Sequence, residues 1–221
     1  MTHCPLTLPS WPDADARILK RGTRFLEPDV YVARLCRQPA VFKDYRRYRR
    51  TPLSPLARLL VRREARMLQR LSGWGYAPAL LGTVGGLVLG MEFIEGHALG
   101  SNVAVVSDDV FRRLKAAVAA LHAAGIAHND LHGSNILVSG DMPRVVDFAS
   151  ALPMPAWLAR SAFGRQLRRS DLANVVKLQS RLTGTAPSAV EAAMLAEPGW
   201  VRSIRGAWKR LYRGVPAKAG A

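Results

Sequence analysis

The chain has 221 residues, 49% hydrophobic and 22% charged. These proportions suit one folded domain, or two small lobes sharing a core, and exclude a disordered chain. With 32 Lys and Arg against 16 Asp and Glu, the formal net charge is +16. That favours anionic partners (phosphate-bearing small molecules, nucleic acid or an acidic membrane surface) without choosing among them. Cys4 and Cys36 fit no metal-ligand spacing and are too few for a disulfide framework, so a reducing cytosol is the simplest compartment.

In chain order, residues 1–15 read as irregular, punctuated by Pro5, Pro9 and Pro12, and carry no signal-peptide pattern. The segment 29-DVYVARL-35 has strand composition and 40-AVFKDY-45 is a second strand. The arginine-rich 46-RRYRRTPLSP-55 leads into a helix with Ser54 expected at its N-cap and Pro55 in its first turn. Leu56, Leu60, Met67 and Leu71 fall near one face of that helix, with Glu64 on the same stripe. The apolar stretch 77-APALLGTVGGLVLGMEFI-94 reads as two short strands about Gly85-Gly86, since its glycines and Glu92 argue against a membrane span.

A helix over 108–123 follows, with the stripe Phe111, Leu114, Val118, Leu121 and Gly125 as its stop. Ile136–Val138 and Val145–Phe148 read as two strands about 139-SGDMP-143. Beyond them the pattern predicts helices at about 157–167, 171–183, 187–195 and 199–212, and a fraying VPAKAGA tail. No internal repeat is visible.

The polar loop 128-HNDLHGSNILV-138 concentrates chemistry directly before a strand. Lys43 taken alone is an edge-strand lysine, Glu64 a charge flanking an apolar stripe, Asp130 and Asn135 turn formers, and Asp147 a cap. Taken together they have the order and spacing that phosphoryl transfer from a nucleotide requires. A lysine neutralises the inner phosphates, a helix glutamate holds it, an aspartate orients or deprotonates the acceptor hydroxyl, and an asparagine and a second aspartate hold divalent metal.

On these residues the chain resembles the protein-kinase-like superfamily, and within it small bacterial members such as the Kdo/heptose lipopolysaccharide kinases and the atypical RIO-type kinases. VFK carries the strand lysine Lys43 and RREARML the paired Glu64. HNDLHGSN carries the catalytic aspartate Asp130 and, at D-x-x-x-x-N spacing, the metal-binding Asn135, while VVDFAS carries the metal aspartate Asp147. The segment 91-MEFIEGHAL-99 is similar to a hinge whose backbone at Glu92, Phe93 and Ile94 holds the adenine, and Asp171 in RRSDLANVV to an aspartate that buttresses the catalytic loop.

The resemblance implies an α+β, two-lobe kinase-like fold in one domain. A small β-rich N-lobe with one key helix would span about 16–94, and a shortened, mainly helical C-lobe 95–214. It implies ATP and Mg²⁺ as cofactors, with Lys43 and Asp130 catalytic. Lys43, Glu64, Glu92, Phe93, Ile94, Asn135 and Asp147 would bind the nucleotide, and Asn135 and Asp147 the metal. His128 reads as a core histidine bracing the loop, and His132 as a residue near the acceptor.

Several features depart from the family pattern. No G-x-G-x-x-G precedes Lys43, so any phosphate cover is a different loop, using Gly22, Thr23 and Arg24. HND replaces HRD, DFA replaces DFG, no APE motif follows, and only 74 residues lie beyond Asp147. These absences argue against phosphorylation-switched signalling and a standard peptide platform, not against the chemistry.

The expected acceptor is a hydroxyl on an anionic glycolipid or a protein serine/threonine. The stretch 157-WLARSAFGRQLRRS-170 has apolar Trp157, Leu158, Phe163 and Leu167 beside Arg160, Arg165, Arg168 and Arg169. This face could rest on an anionic membrane or pack as an ordinary helix with a solvated edge, and Trp208 with the basic run 202–213 raises the same alternatives. The expected location is cytoplasmic, with peripheral contact at the inner face of the membrane. Two other readings stay open: a pseudokinase binding nucleotide or acting as a scaffold, and a basic nucleic-acid-binding protein. The second lacks a recognition helix or aromatic-basic sheet motif. Oligomeric state is not encoded in any motif.

Overall fold

A computed structural model describes residues 16–100 and 106–195. Five antiparallel strands form the first layer in the order β1-β2-β3-β5-β4: β1 (Arg17–Lys20), β2 (Asp29–Leu35), β3 (Gln38–Asp44), β4 (Leu80–Val84) and β5 (Val88–Glu92). The β2 expectation is met residue for residue. The β3 strand starts two residues earlier than expected, and β1 has no counterpart in the expectations. Cross-strand pairing sets Tyr31 opposite Phe42, their rings stacked at 5.3 Å, a contact that fixes register where one sheet face is buried. Gly85 and Gly86 both have positive φ, and the Leu87 N–H donates to the Val84 carbonyl at 3.1 Å. This is a two-residue hairpin turn that side chains disfavour.

Helix α1 (Ser54–Arg70) packs across the sheet. Ser54 does not cap it. The N-cap position is Leu53, which makes no side-chain cap bond, and Pro55 lies within the first turn as expected. The buried stripe is Ala57, Val61, Glu64, Met67, Leu68 and Leu71, while Leu56 is 41% exposed. The face is therefore turned by one residue from the expected Leu56/Leu60 line. Small Ala57 and branched Val61 let the helix seat closely on the strands, and Leu56 and Leu59 face outward.

After β6 (His97–Ala98), α2 occupies Asp108–Ala123, the bounds predicted, with Phe111, Leu114, Val118 and Leu121 all buried. The acids Asp108 and Asp109 sit in its first turn, where the helix dipole favours negative charge. Gly125, at φ +73°, turns the chain away into β7 (Ile126–Ala127). The hairpin is β8 (Ile136–Ser139) and β9 (Met142–Val145), paired with β6 in a second sheet. Its second strand thus lies three residues before the expected 145–148. Asp147 adopts left-handed backbone (φ 64°, ψ 72°), which ends extended structure, and Phe148 begins a short 3₁₀ turn and is fully buried.

The strand β10 (Leu152–Pro153) pairs with β7. Helices α3 (Ala156–Arg160), α4 (Ala162–Thr183) and α5 (Ala189–Leu195) follow. The expected helices 157–167 and 171–183 are divided differently: the break is at Ser161, and 162–183 is continuous. Ser161 caps α4 by accepting from the Gly164 N–H at 3.0 Å. This division also corrects the single amphipathic face expected over 157–170. Arg168 donates to the Ala159 carbonyl at 2.7 Å, and Arg169 to Met194 and Ala193 carbonyls, while Trp157 and Phe163 remain exposed. Residues 199–212 lie outside the described residues.

The corner between α3 and α4 depends on Gly164, where a Cβ would meet the Leu158 carbonyl oxygen at 2.0 Å and Met154 Cε at 2.7 Å. Gly164→Ala is expected to destabilise the fold by about 1–3 kcal/mol, the usual cost of overpacking. Urea unfolding checks this, and an unchanged midpoint would refute the close approach.

The main core runs from α1 and β5 through α2 and the 3₁₀ turn to α4. Among the described residues no helix is long and apolar enough to cross a membrane.

Candidate nucleotide and phosphoryl-transfer site

Lys43 sits near the end of β3, where strand alternation turns it toward the side on which α1 packs. Its Nζ lies 2.6 Å from Glu64 Oε1 and 2.7 Å from Asp147 Oδ1. Lys43 is 8% exposed and Glu64 2%. Burial disfavours the ammonium, but the two flanking carboxylates outweigh it and hold the Lys43 pKa above the ordinary lysine range. Burial pushes the Glu64 carboxyl up against the pull of Lys43. For Asp147, burial is overcome by Lys43 and the carboxyl is held below the usual range. Contacts of 2.6–2.7 Å to one nitrogen mark a charged ion-pair triad.

Asn135 is buried at the end of the polar loop, and its Nδ2 donates to the Asp130 carbonyl at 3.0 Å and approaches Asp130 Oδ2 at 3.4 Å. This leaves the amide oxygen of Asn135 as an acceptor. The Val146 N–H donates to the Asn135 carbonyl at 2.9 Å, placing Asn135 and Asp147 on adjoining backbone. The Asp130 side chain is 45% exposed, with Oδ1 3.5 Å from His132 Nε2. His132 also contacts Ser134 Oγ at 2.8 Å.

The loop is braced from below. Asp171 of α4 is 1% exposed and accepts from the backbone N–H groups of His128 and Asn129 at 2.8 Å each, with His122 Nε2 3.0 Å away. His128 is fully buried, edge-on to Phe148 at 4.9 Å, and its Nε2 lies 3.2 Å from the Val146 carbonyl. Burial lowers its pKa and keeps the ring neutral.

Lys43, Asn135 and Asp147 line a cleft of about 350 Å³ between the five-stranded sheet and the β6-β8-β9 sheet. Leu19, Val30, Val41, Leu137 and Val146 supply its apolar lining, and Glu92, Phe93, Ile94, Lys43, Asn135 and Asp147 also border it. Apolar walls with a few convergent polar groups describe a small-molecule site. The Glu92 carboxylate points elsewhere: it accepts from the Ala79 N–H at 2.9 Å and pairs with Arg144 at 3.1 Å. The Glu92 N–H also donates to the Ala79 carbonyl at 2.9 Å, so any contribution of Glu92 to a ligand is through its backbone carbonyl. Leu19 and Lys20 line the cleft and were not foreseen. Ile18 and Leu19 are both about half exposed, so β1 carries no alternation to read.

The loop between β1 and β2 is organised around its own acid. The Thr23 and Arg24 N–H groups donate to Glu27 Oε2 at 3.0 and 2.9 Å, Lys20 Nζ lies 2.5 Å from Glu27 Oε1, and the Gly22 N–H donates to Asp29 at 2.8 Å. Arg47 donates to the Gly22 and Glu27 carbonyls. The amides of Gly22, Thr23 and Arg24, the residues expected in a phosphate-covering loop, are engaged with Asp29 and Glu27. Hydrogen bonds from Lys20, then Arg24, hold the Glu27 pKa down to about 2 from 4.5. Its contribution to loop order is complete above the unperturbed value and is lost as pH falls through about 2. Glu27→Gln is expected to speed hydrogen exchange at Thr23 and Arg24 at neutral pH; exchange equal to wild type would show that the carboxylate does not hold the loop.

A family model of the RIO domain matches residues 35–190. A protein of Methanothermobacter thermautotrophicus named "Probable bifunctional tRNA threonylcarbamoyladenosine biosynthesis protein" is 32% identical over 136 residues, 59% of this chain and 24% of that protein. The chain therefore spans about a quarter of that relative's length. Two crystal structures of the Rio2 kinase from Chaetomium thermophilum share the fold, each with TM-score 0.59 and 17% identity over 80% of this chain. One is an ADP/Mg²⁺-phosphoaspartate complex, of which 61% is covered; 62% of the other is covered.

Proposed function

The chain belongs to the RIO domain family, whose kinases are atypical protein kinases, and on that footing we propose that it transfers the γ-phosphoryl group of ATP to an acceptor hydroxyl. The observation that carries this reading is the Lys43–Glu64–Asp147 triad, of which Lys43 and Asp147 line an apolar cleft.

The adenine enters between Val30 and Val41 above and Leu137 below, against backbone at Glu92–Ile94. Lys43 holds the inner phosphates, kept charged and in place by Glu64. Asn135 and Asp147 offer amide and carboxylate oxygens, the donor set that suits magnesium, which is bound by few protein oxygens plus substrate phosphates. When bound, Mg²⁺ supplies charge neutralisation across the phosphate oxygens. Asp130 receives the proton as the acceptor oxygen bonds to the γ-phosphorus and the bond to ADP breaks. Asp171 holds the loop so that Asp130 and Asn135 keep their spacing.

The acceptor is a lipid-linked sugar or a protein serine/threonine. Incubation with γ-labelled ATP and magnesium, in parallel against a membrane lipid extract and a cytosolic protein extract, tests the reading. Label entering either pool supports a kinase and names the acceptor class; ATP binding with no transfer to either pool or to water counts against it. A second reading, a nucleotide-binding module without turnover, is favoured by one observation: the amides expected to cover the phosphates are taken up by Glu27.

A further inference from the structure

Beside Asp130 lies a second cleft, of about 270 Å³, that shares no lining residue with the nucleotide cleft. Asn129–Gly133 of the polar loop form one side, and Asn174, Lys177, Leu178 and Arg181 of α4 the other. The loop thus separates two cavities: Ser134 and Asn135 face the nucleotide, and Asp130 and His132 face this cleft.

The α4 residues have a spacing of three and four, so Asn174, Lys177 and Arg181 form one stripe beside the buried Leu178, spanning about 10 Å at 1.5 Å per residue. The stripe begins one turn after Asp171, whose bonds to His128 and Asn129 fix α4 against the loop. Stripe and catalytic aspartate are therefore held on one rigid support.

The charges are also distinctive. Several other basic side chains of this half are engaged: Arg112 and Arg113 with Asp109, Lys115 with Glu191, and Arg165, Arg168 and Arg169 with backbone carbonyls. Among the described residues, Lys177 and Arg181 have no carboxylate within ion-pair distance, and Asp130 is the only acid lining the cleft. The result is a site with a proton acceptor at one end and two uncompensated cations along its wall.

We propose that this cleft is the acceptor subsite and that it takes a small hydroxyl compound bearing a carboxylate or phosphate, a sugar acid or sugar phosphate in size and charge. This rests on the kinase reading above. The anionic group sits on Lys177 and Arg181, Asn174 hydrogen-bonds a ring hydroxyl, and the reacting hydroxyl faces Asp130. Its oxygen bonds to the γ-phosphorus of ATP, the bond from that phosphorus to the β–γ bridging oxygen breaks, the proton passes to Asp130, and ADP leaves. A cleft of this volume holds one monosaccharide unit and favours a sugar head group, free or at the end of a lipid, over an extended peptide.

The test is direct binding to the full chain saturated with magnesium and a non-hydrolysable ATP analogue. Glucuronate and glucose 6-phosphate serve as anionic probes and glucose as the neutral control, alongside a detergent-dispersed glycolipid with a phosphorylated sugar and an acidic serine peptide. The expected result is that anionic sugars bind better than glucose. Lys177→Ala/Arg181→Ala should then lose about tenfold to a hundredfold of that affinity, the scale of two charge-assisted contacts, with nucleotide affinity unchanged, and Arg181→Lys should recover part of it. Tighter binding of the glycolipid than of the free sugars assigns the head group to a lipid; equal binding assigns a free metabolite. The proposal is overturned if glucose binds as well as the anions, if the double variant binds as wild type does, or if the peptide alone is phosphorylated with a KM unmoved by the variant. Anion binding through Lys177 and Arg181 with no transfer from ATP to any probe or to water would sink the kinase reading while upholding the anion site.

Discussion

Asp130→Asn is expected to lower phosphoryl transfer by about 10²–10⁴-fold, the range in which a positioned general base contributes, with little change in nucleotide affinity. Asp130 lines the cleft against α4 and is absent from the cleft that holds Lys43 and Asp147, to which it is linked through Asn135. Asparagine keeps the size of the side chain but cannot take the acceptor proton. Asp147→Asn should behave differently, weakening magnesium-dependent nucleotide binding as well as turnover, because Asp147 lines the nucleotide cleft and touches Lys43 at 2.7 Å. Titration with a fluorescent nucleotide beside initial rates separates the two. Equal losses of affinity in both variants, or turnover unaltered in Asp130→Asn, would refute the division of roles.

The second large effect is expected at Asp171. Its carboxylate is 1% exposed and serves the N–H groups of His128 and Asn129 together with His122. Asp171→Ala leaves the buried His128 N–H and the partly buried Asn129 N–H without an acceptor and should cost about 1–3 kcal/mol for each. Below the variant's unfolding temperature, transfer should still fall while nucleotide affinity holds, because Asn129 at φ 65° sets the path of the chain into Asp130. Asp171→Asn retains one acceptor and should be intermediate. Denaturant unfolding and rates measured on the same samples decide the matter; a variant as stable and as active as wild type would show that the loop needs no brace from α4.

The contrast between α2 and α1 shows what could be read in advance. The α2 bounds match the prediction because every signal is local: acids in its first turn, an apolar stripe at helical spacing and Gly125 after its end. The α1 stripe is shifted by one residue because the leucine spacing left two faces open, and seating against the sheet selected the one with Ala57 and Val61. The break at Ser161 depends on how closely Gly164 approaches Leu158, which no periodicity within 157–183 records. Strand β1 was missed because it has no buried face, and the engagement of the Thr23 and Arg24 amides because it depends on the conformation of a loop.

The site divides along the same line. Lys43, Glu64, Asp130, Asn135 and Asp147 could be singled out in the sequence because the proposed phosphoryl transfer calls for those functional groups in that order, and the loop and hairpin that carry three of them are contiguous. Their convergence is not legible residue by residue: Lys43 meets Glu64 across 21 positions and Asp147 across 104, and Asp171 reaches the loop across 43. The cleft that sets Lys177 and Arg181 beside Asp130 likewise comes from α4 packing under the loop. Turns, stripes and functional groups are properties of neighbouring residues, governed by backbone sterics and periodicity. Contacts between distant segments follow from which surfaces bury one another, and that is settled only when the whole chain has packed.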